Sequence, residues 1–377
     1  MAHTLNDYIS LLEREGLLAA PLPADLDREQ PIALVSCDSR TVVPGTLFVC
    51  KGAHFKAEFL DMAQSRGATA YASEKRWPDS PLPCILLADL RRAMALMADL
   101  CYDHPSGKLK VIGFTGTKGK SSTAYYLKYI LDEYLAEQGG PESGIISSID
   151  TYDGAERFES HLTTPEPLDL ERHFANAAQT GLEYVTMEVS SQALKYHRSL
   201  CTEFAAACFL NIGYDHISPI EHPDFQDYFA SKLKIFDQAQ VNCVNLDCDH
   251  APEVLSAAQA AGKPVITFSQ KNPQADVYAS SVRKEDGQTV FQVRTPSYER
   301  EFRLTMPGLF NVENALAAIA VCEGLNIPER AVYVGLMKAR VPGRMEIYSN
   351  ADETVTAIVD YAHNRMSFET LLSLIHI

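Results

Sequence analysis

No apolar run in this 377-residue chain approaches the roughly 18 residues that a membrane helix needs. The opening MAHTLNDYISLLEREG carries acidic residues through what would be the apolar heart of an export signal. Neither a membrane span nor secretion is expected, and a cytoplasmic protein is. Positive charge is scarce too: 33 Lys and Arg against 49 Asp and Glu leave a formal net charge of -16. General nucleic-acid or membrane-surface binding needs clustered Lys and Arg, so neither class fits. An anionic substrate would have to be held by a local site. The nine cysteines are odd in number and contain no C-x-x-C pair, which suits scattered reduced core thiols and not a disulfide frame or a zinc site.

What the chain does have is KVIGFTGTKGKSS between Lys110 and Ser122, an apolar strand running straight into a Gly-Lys-Ser turn. Backbone N–H groups from Gly116 to Lys120 can curl around phosphate oxygens, Lys120 can reach the outer phosphates, and the Ser121 hydroxyl can ligate Mg²⁺ at the start of the next helix. The general pattern G-x-x-x-x-G-K-[ST] would place Gly where Phe114 stands, so the match is to the shorter G-x-x-G-K-[ST] form. A glycine-rich strand-to-helix turn without a ligand is the competing reading. Leu109 to Phe114 suits a buried parallel strand, and Ala124, Leu127, Leu131 and Tyr134 recur at helical spacing.

The length predicts two to three domains. Residues 1–106 hold strand-like runs at Pro31 to Ser36, Thr46 to Val49 and Cys84 to Leu87, with helical patterns around Asp61 to Arg66 and Arg91 to Tyr102. Over 107–339 strands and helices alternate, with apolar strands at Tyr184 to Val189, Ala205 to Asn211, Val241 to Leu246 and Val265 to Phe268, which predicts an α/β domain on a mostly parallel sheet. Val277 to Leu304 reads as two or three period-2 strands broken at Asp286-Gly287, a hairpin insert. After Pro342-Gly343 a strand from Thr354 to Asp360 and a helix from about Ser367 open a third, incomplete domain over 340–377. The chain is therefore expected to be a fragment that binds its substrates but does not complete a reaction.

Eight segments carry a resemblance that covers essentially the whole chain: DSRTVVPGTLFVCKG from Asp38, TGTKGKSS from Thr115, TTPE from Thr163, MEVSSQALKYHR from Met187, NIGYDHI from Asn211, FNVENALAA from Phe310, VPGRME from Val341 and VDYAHN from Val359. In this order they resemble the Mur ligase family, and within it the branch of UDP-N-acetylmuramoyl-tripeptide synthetases. The resemblance implies a UDP-binding α/β domain, a central P-loop ATPase domain and the start of a Rossmann-like third domain. It implies a monomer in peptidoglycan precursor synthesis that uses ATP and Mg²⁺. The substrate is UDP-N-acetylmuramoyl-L-alanyl-D-glutamate; its D-glutamyl carboxylate is phosphorylated, and the amine of a diamino acid attacks the acyl phosphate. L-lysine and meso-diaminopimelate both stay open, with SPIEHPDFQDYF and Lys118 closer to lysine-adding enzymes.

The resemblance also distributes roles. Gly116, Thr117, Lys118, Gly119, Lys120, Ser121, Ser122, Asn311, Asn314, Arg344, Asp360 and His363 are implied ATP contacts. Glu188, at the end of an apolar strand, faces the edge where open α/β sheets bind ligands, and is the implied Mg²⁺ ligand with Ser121 and His216. Lys232, by itself a helix-surface lysine, is implied to carry a CO₂-derived carbamate that turns a cation into a metal-bridging anion. The catalytic set is then Lys120, Glu188, His216 and Lys232. Cys37, Ser39, Ala53, His54, Phe55, Thr163, Thr164, Ser190, Tyr196 and Arg198 are the implied substrate contacts, with Tyr196 standing where related enzymes often have Gln. Two other classes compete with this reading. One is another ligase of the superfamily, such as a folylpolyglutamate synthase. The other is a P-loop protein that only senses nucleotide, against which TTPE and MEVSS speak.

Overall fold

Alternation along two short strands explains how the first part of the chain folds. In a computed structural model that describes residues 3–24, 26–52, 54–306, 308–352, 354–362, 368 and 372, Leu47 and Val49 join one apolar cluster while Phe48 between them joins another. Ala70 and Ala72 against Tyr71 repeat the pattern. Successive side chains of a strand point to opposite faces, so a sheet with both faces apolar must be covered on both.

The covering helices come from the same stretch. In chain order the elements are α1 (Leu5–Arg14), β1 (Leu34–Ser36), β2 (Thr46–Val49), α2 (Ala57–Ser65), β3 (Ala68–Ser73), β4 (Cys84–Leu86) and α3 (Leu90–Cys101). The strands form a parallel sheet in the order β1-β2-β3-β4. Helix α1 buries Leu5, Tyr8, Ile9 and Leu12, the spacing of one helical face, and packs with Met94 and Met97 of α3 on one side of the sheet. Leu60 and Ala63 of α2 cover the other side. This compact unit comprises residues 1–108, 165–175 and 193–202.

The second unit comprises 109–164, 176–192 and 203–377. In chain order the elements continue with β5 (Lys110–Thr115), α4 (Lys120–Glu137), β6 (Gly144–Ile146), β7 (Asp150–Tyr152), β8 (Arg157–Glu159), α5 (Pro167–Gln179), β9 (Tyr184–Glu188), α6 (Ser191–Lys195), β10 (Phe204–Phe209) and α7 (Phe225–Leu233), with 167–175 of α5 and 193–195 of α6 belonging to the first unit. There follow β11 (Asn242–Asn245), α8 (Ala251–Ala260), β12 (Val265–Ser269), β13 (Val277–Glu285), β14 (Gln288–Arg294), β15 (Glu299–Leu304), α9 (Asn311–Leu325) and α10 (Glu329–Lys338).

Eleven strands make one sheet in the order β15-β14-β13-β12-β11-β10-β5-β9-β6-β7-β8. From β13 to β6 every pairing is parallel, and each edge ends in an antiparallel pair of strands. Helix α9 buries eleven of its fifteen residues, so its alanine-rich surface lies inside the core and not at its margin. Its neighbours there include Ile112 and Phe114 of β5 and Leu127 and Ile130 of α4. The predicted parallel sheet and the hairpin turn at Asp286-Gly287 are present, both residues taking positive φ.

Several elements escaped the sequence reading, strands β6 and β16 (Glu346–Ser349) among them. Helix α1 and strand β3 are absent from it, as are the edge strands β7 and β8. The strand expected from Thr354 to Asp360 is β17 (Thr356–Val359), and it pairs antiparallel with β16. The helix expected from Ser367 lies outside the described residues. Among the described residues no helix is long and apolar enough to cross a membrane.

Candidate functional site

Strand β5 is buried at every position after Lys110 and delivers the chain to Gly116 inside the sheet. Helix α4 then starts at Lys120 with Gly119 as its N-cap, at φ +83°. A side chain at Gly119 would also run into Asn314 Oδ1, so the turn requires glycine twice over. The end of β10 holds this loop in shape. Asn211 accepts from the Lys118 N–H at 2.9 Å through Oδ1 and donates to the Lys118 carbonyl at 3.1 Å through Nδ2. Its carbonyl accepts from the Thr117 N–H at 3.1 Å. Thr117 Oγ1 accepts from Gly213 N–H and lies 3.0 Å from the buried Tyr228 hydroxyl.

Two ammonium groups meet at one carbonyl. Lys120 Nζ donates to Gly116 O at 3.0 Å and to Thr117 O at 3.3 Å, and Lys232 Nζ donates to the same Gly116 O at 2.8 Å. Burial pushes the Lys120 amine below its ordinary value although Glu188 opposes this. Burial, and then the neighbouring Lys120 charge, push Lys232 well below its own. Lys232, which residue type alone would put on a helix surface and the family resemblance put in the site, is only 2% exposed, while Lys234 two residues on is the exposed one. One helix presents the two positions to different faces.

Across the loop stands Glu188, the last residue of β9, 1% exposed. Its Oε1 accepts from both the N–H (2.8 Å) and the hydroxyl (3.0 Å) of Ser148, and Ser148 Oγ lies 3.1 Å from Ser121 Oγ. Thr164 Oγ1 donates to the Glu188 carbonyl at 2.9 Å and accepts from the Ser190 N–H at 3.0 Å. Lys118 pairs with Asp215 at 3.2 Å. Burial would raise the Asp215 carboxyl, but the Lys118 ammonium prevails and holds it below the usual range.

These groups line a cavity of about 430 Å³, within the usual range for small-molecule sites. Of the residues singled out from the sequence, Thr117, Lys118, Gly119, Lys120, Ser121, Ser122, Thr163, Glu188, His216, Asn314, Arg344 and Asp360 all face it. Gly116, Thr164, Ser190 and Lys232 act one layer behind, as do Asn311, whose Oδ1 accepts from Asn314, and the β9 backbone. His216 is at φ +58° with Glu221 at 3.1 Å from its Nδ1. Asp360 Oδ2 accepts from the Met345 N–H. His363 lies outside the described residues. The hydroxyl of Ser121 and the carboxylates of Glu188 and Asp215 are the hard oxygen donors that Mg²⁺ favours, so the donor set fits that ion.

The sequence reading did not place Ser148, Asp215, Glu313 or Tyr228 in the site, nor the bracing role of Asn211. Asn211 and Asp215 had a signal, since both lie in NIGYDHI. Glu313 sits between two residues that were named, Phe310 and Asn314, and its carboxyl is pushed up by burial while Asn245 donates to it at 2.6 Å. Ser148 had none.

In the first unit the remaining predicted contacts fall into separate clusters. Phe55 packs on Phe48 and on Trp77, ring centroids 5.1 Å apart in the second pair. Ser39 Oγ donates to Met62 Sδ, His54 is exposed, and burial raises the Cys37 thiol. Ala53 lies outside the described residues. Arg198 and Lys51 both pair with Glu166, at 2.9 and 2.5 Å, and the Arg91 guanidinium stacks over Tyr196 at 3.8 Å.

Comparison with known proteins bears on these observations. Residues 114–322 match the model of the Mur ligase middle domain. The chain is 39% identical over 353 residues to the UDP-N-acetylmuramoyl-L-alanyl-D-glutamate--L-lysine ligase of Enterococcus faecalis, covering 92% of this chain and 68% of that protein. Among solved structures it is similar to a UDP-N-acetylmuramoyl-L-alanyl-D-glutamate--2,6-diaminopimelate ligase, with TM-score 0.80 and 22% identity, over 100% of this chain and 74% of the other. It is also similar to the MurF ligase of Thermotoga maritima in complex with ADP, with TM-score 0.63 and 18% identity, over 91% and 74%. At these identities the structural likenesses speak for the fold.

Proposed function

The chain belongs to the Mur ligase family, and from that premise we propose that it is an ATP-dependent ligase that joins L-lysine to the D-glutamyl carboxylate of UDP-N-acetylmuramoyl-L-alanyl-D-glutamate. One observation carries the reading: Lys120 and Ser121 at the start of α4 and Glu188 at the end of β9 converge on one cavity whose loop is braced by Asn211. The relative from Enterococcus faecalis supports lysine as the amine. We assign the uridine end to residues 1–106, the phosphate chemistry to 107–339 and the opening of the amino-acid domain to 340–377, in a monomeric cytoplasmic enzyme.

In this reading the loop N–H groups and Lys120 hold the ATP phosphates, while Lys118 and Arg344 add positive charge where the carboxylate and the phosphoryl group meet. The γ-phosphoryl group passes to the D-glutamyl carboxylate, ADP departs, and the lysine amine then displaces phosphate and gives up a proton. Ser121, Glu188 and His216 would hold Mg²⁺, which supplies charge neutralisation between the two anions. Burial of Lys232 supports a carbamate there. Its lowered basicity favours the neutral amine that adds to CO₂, and the resulting anion would remove the conflict of two ammonium groups at Gly116 O.

Two tests follow. Calorimetric titration should show binding of UDP-N-acetylmuramoyl-L-alanyl-D-glutamate and none of a pteroylglutamate; the reverse would move the chain to the folate branch. With ¹³C-labelled bicarbonate, the parent should give a carbamate carbon resonance that disappears in Lys232→Ala. A parent without that resonance, or a variant that keeps it, would remove the carbamate from the site.

A further inference from the structure

Ser148 has no role in the sequence pattern, yet it joins the two oxygen ligands proposed above. Its place follows from register. Strand β6 runs parallel to β9 with Ile146 opposite Met187, so the chain leaves β6 beside Glu188. The turn that follows is tied down by Ser147, whose Oγ accepts from the N–H groups of Ile149 and Asp150 at 3.1 Å each and donates to the Asp150 carbonyl at 2.9 Å. Ser148 is thus presented to Glu188 by a rigid turn.

The direction of the hydrogen bonds can be worked out from proton supply. A hydroxyl carries one proton and a carboxylate carries none. Glu188 Oε1 already takes the Ser148 N–H at 2.8 Å, and among the described residues the hydroxyl, at 3.0 Å, has that oxygen and Ser121 Oγ, at 3.1 Å, as its hydrogen-bond partners. If Ser148 gives its proton to the carboxylate, it must accept from Ser121. The Ser121 proton then points away from the cavity and its lone pairs point in, towards the Arg344 guanidinium at 3.5 Å that a cation would displace. Among the described residues Glu188 is pinned through Oε1 alone, which leaves Oε2 to the cavity.

We propose that Ser148 is a positioning residue that sets the proton direction of Ser121 and the carboxylate orientation of Glu188, so that a divalent cation meets two oxygens already turned towards it. The assignment rests on the reading of the cavity as a metal-nucleotide site and deepens it. Outer hydrogen-bond partners of metal ligands commonly contribute 10- to 100-fold in metal affinity. A metal-free nucleotide, held by the loop and Lys120, should not sense the change.

The test uses Mn²⁺ as the probe. Paramagnetic resonance titration of the ADP-loaded full chain should show Mn²⁺ binding weakened by about 10- to 100-fold in Ser148→Ala, with ADP affinity in the absence of metal unchanged. Ser148→Thr, which keeps the hydroxyl, should bind Mn²⁺ as the parent does, and its near-isosteric partner Ser148→Val should not; this pair carries the test if the alanine variant does not fold. Parental Mn²⁺ affinity in Ser148→Ala or Ser148→Val overturns the proposal, as does metal-free ADP affinity falling in step with it. A parent that binds ADP but no Mn²⁺ overturns the metal-site reading itself, and with it this assignment.

Discussion

Lys120→Ala is expected to weaken ATP binding by roughly 10- to 150-fold, read by calorimetry. The side chain is half-buried and its amine lies against the loop carbonyls of Gly116 and Thr117, within reach of any phosphate cradled by the same loop. A hydrogen bond to a charged group has a net worth of about 1.5 to 3 kcal/mol, and each 1.4 kcal/mol is tenfold in affinity. The fold should be nearly indifferent. Gly116 O keeps its bond from Lys232, Gly119 still starts the helix, and a partly desolvated cation is gone. A thermal midpoint close to the parent's together with lost ATP affinity is the expected pair of results. Affinity equal to the parent's would mean that no phosphate occupies this turn.

The largest effect on stability is expected far from the cavity, at Gly335. Glycine in the middle of a helix is ordinarily a weakness, and alanine there gains about 0.5 to 1 kcal/mol. Here a Cβ would lie 2.6 Å from the backbone nitrogen of Ile130 and 2.9 Å from its Cγ1, because α10 and α4 approach backbone to backbone at this point. A side-chain tip could move aside; the main chain of a buried helix cannot. Overpacking of a core typically costs 1 to 3 kcal/mol or more, so Gly335→Ala should be destabilising in spite of the better helix former, by roughly 1 to 3 kcal/mol net. Gly335→Leu should be worse. At about 2 to 4 °C per kcal/mol for a unit of this size, thermal denaturation should fall by several degrees, and an unchanged midpoint would show that the helices separate freely.

The parts of this fold that announced themselves in sequence were those with strong, local chemistry. Parallel strands such as β5, β9 and β10 are buried on both faces and read as unbroken apolar runs. The phosphate turn was visible because its glycines and Lys120 have few other reasons to stand together. Strand β3 was missed because ATAYAS is built from small residues that do not register as apolar, though it is buried at five of its six positions. Strand β8 was missed for the opposite reason, being exposed at all three. Lys232 shows the deeper limit. Burial of a lysine is decided by what covers it in three dimensions, here the phosphate loop and the Tyr228 ring, 4.8 Å from its Nζ, and nothing in DYFASKLKIF records that. Ser148 is the same kind of case, since its meaning comes from a neighbouring strand.

The strand order also governs when the site comes into being. Strand β5 sits between β9 and β10, pairing Val111 with Val185 on one side and Ile112 with Ala206 on the other. Both partners lie far downstream, so the strand that carries the phosphate loop cannot be paired until distant segments have been gathered. Pairings of that separation close slowly, because loop entropy is lost before contacts compensate for it. Asn211, which braces the loop, belongs to the later of the two segments. No partly folded form lacking β10 can bracket the loop, and nucleotide should therefore stabilise only the assembled sheet. ATP added to refolding protein would then report completion of the sheet's centre, acting as a late trap for the native state and leaving the early steps untouched.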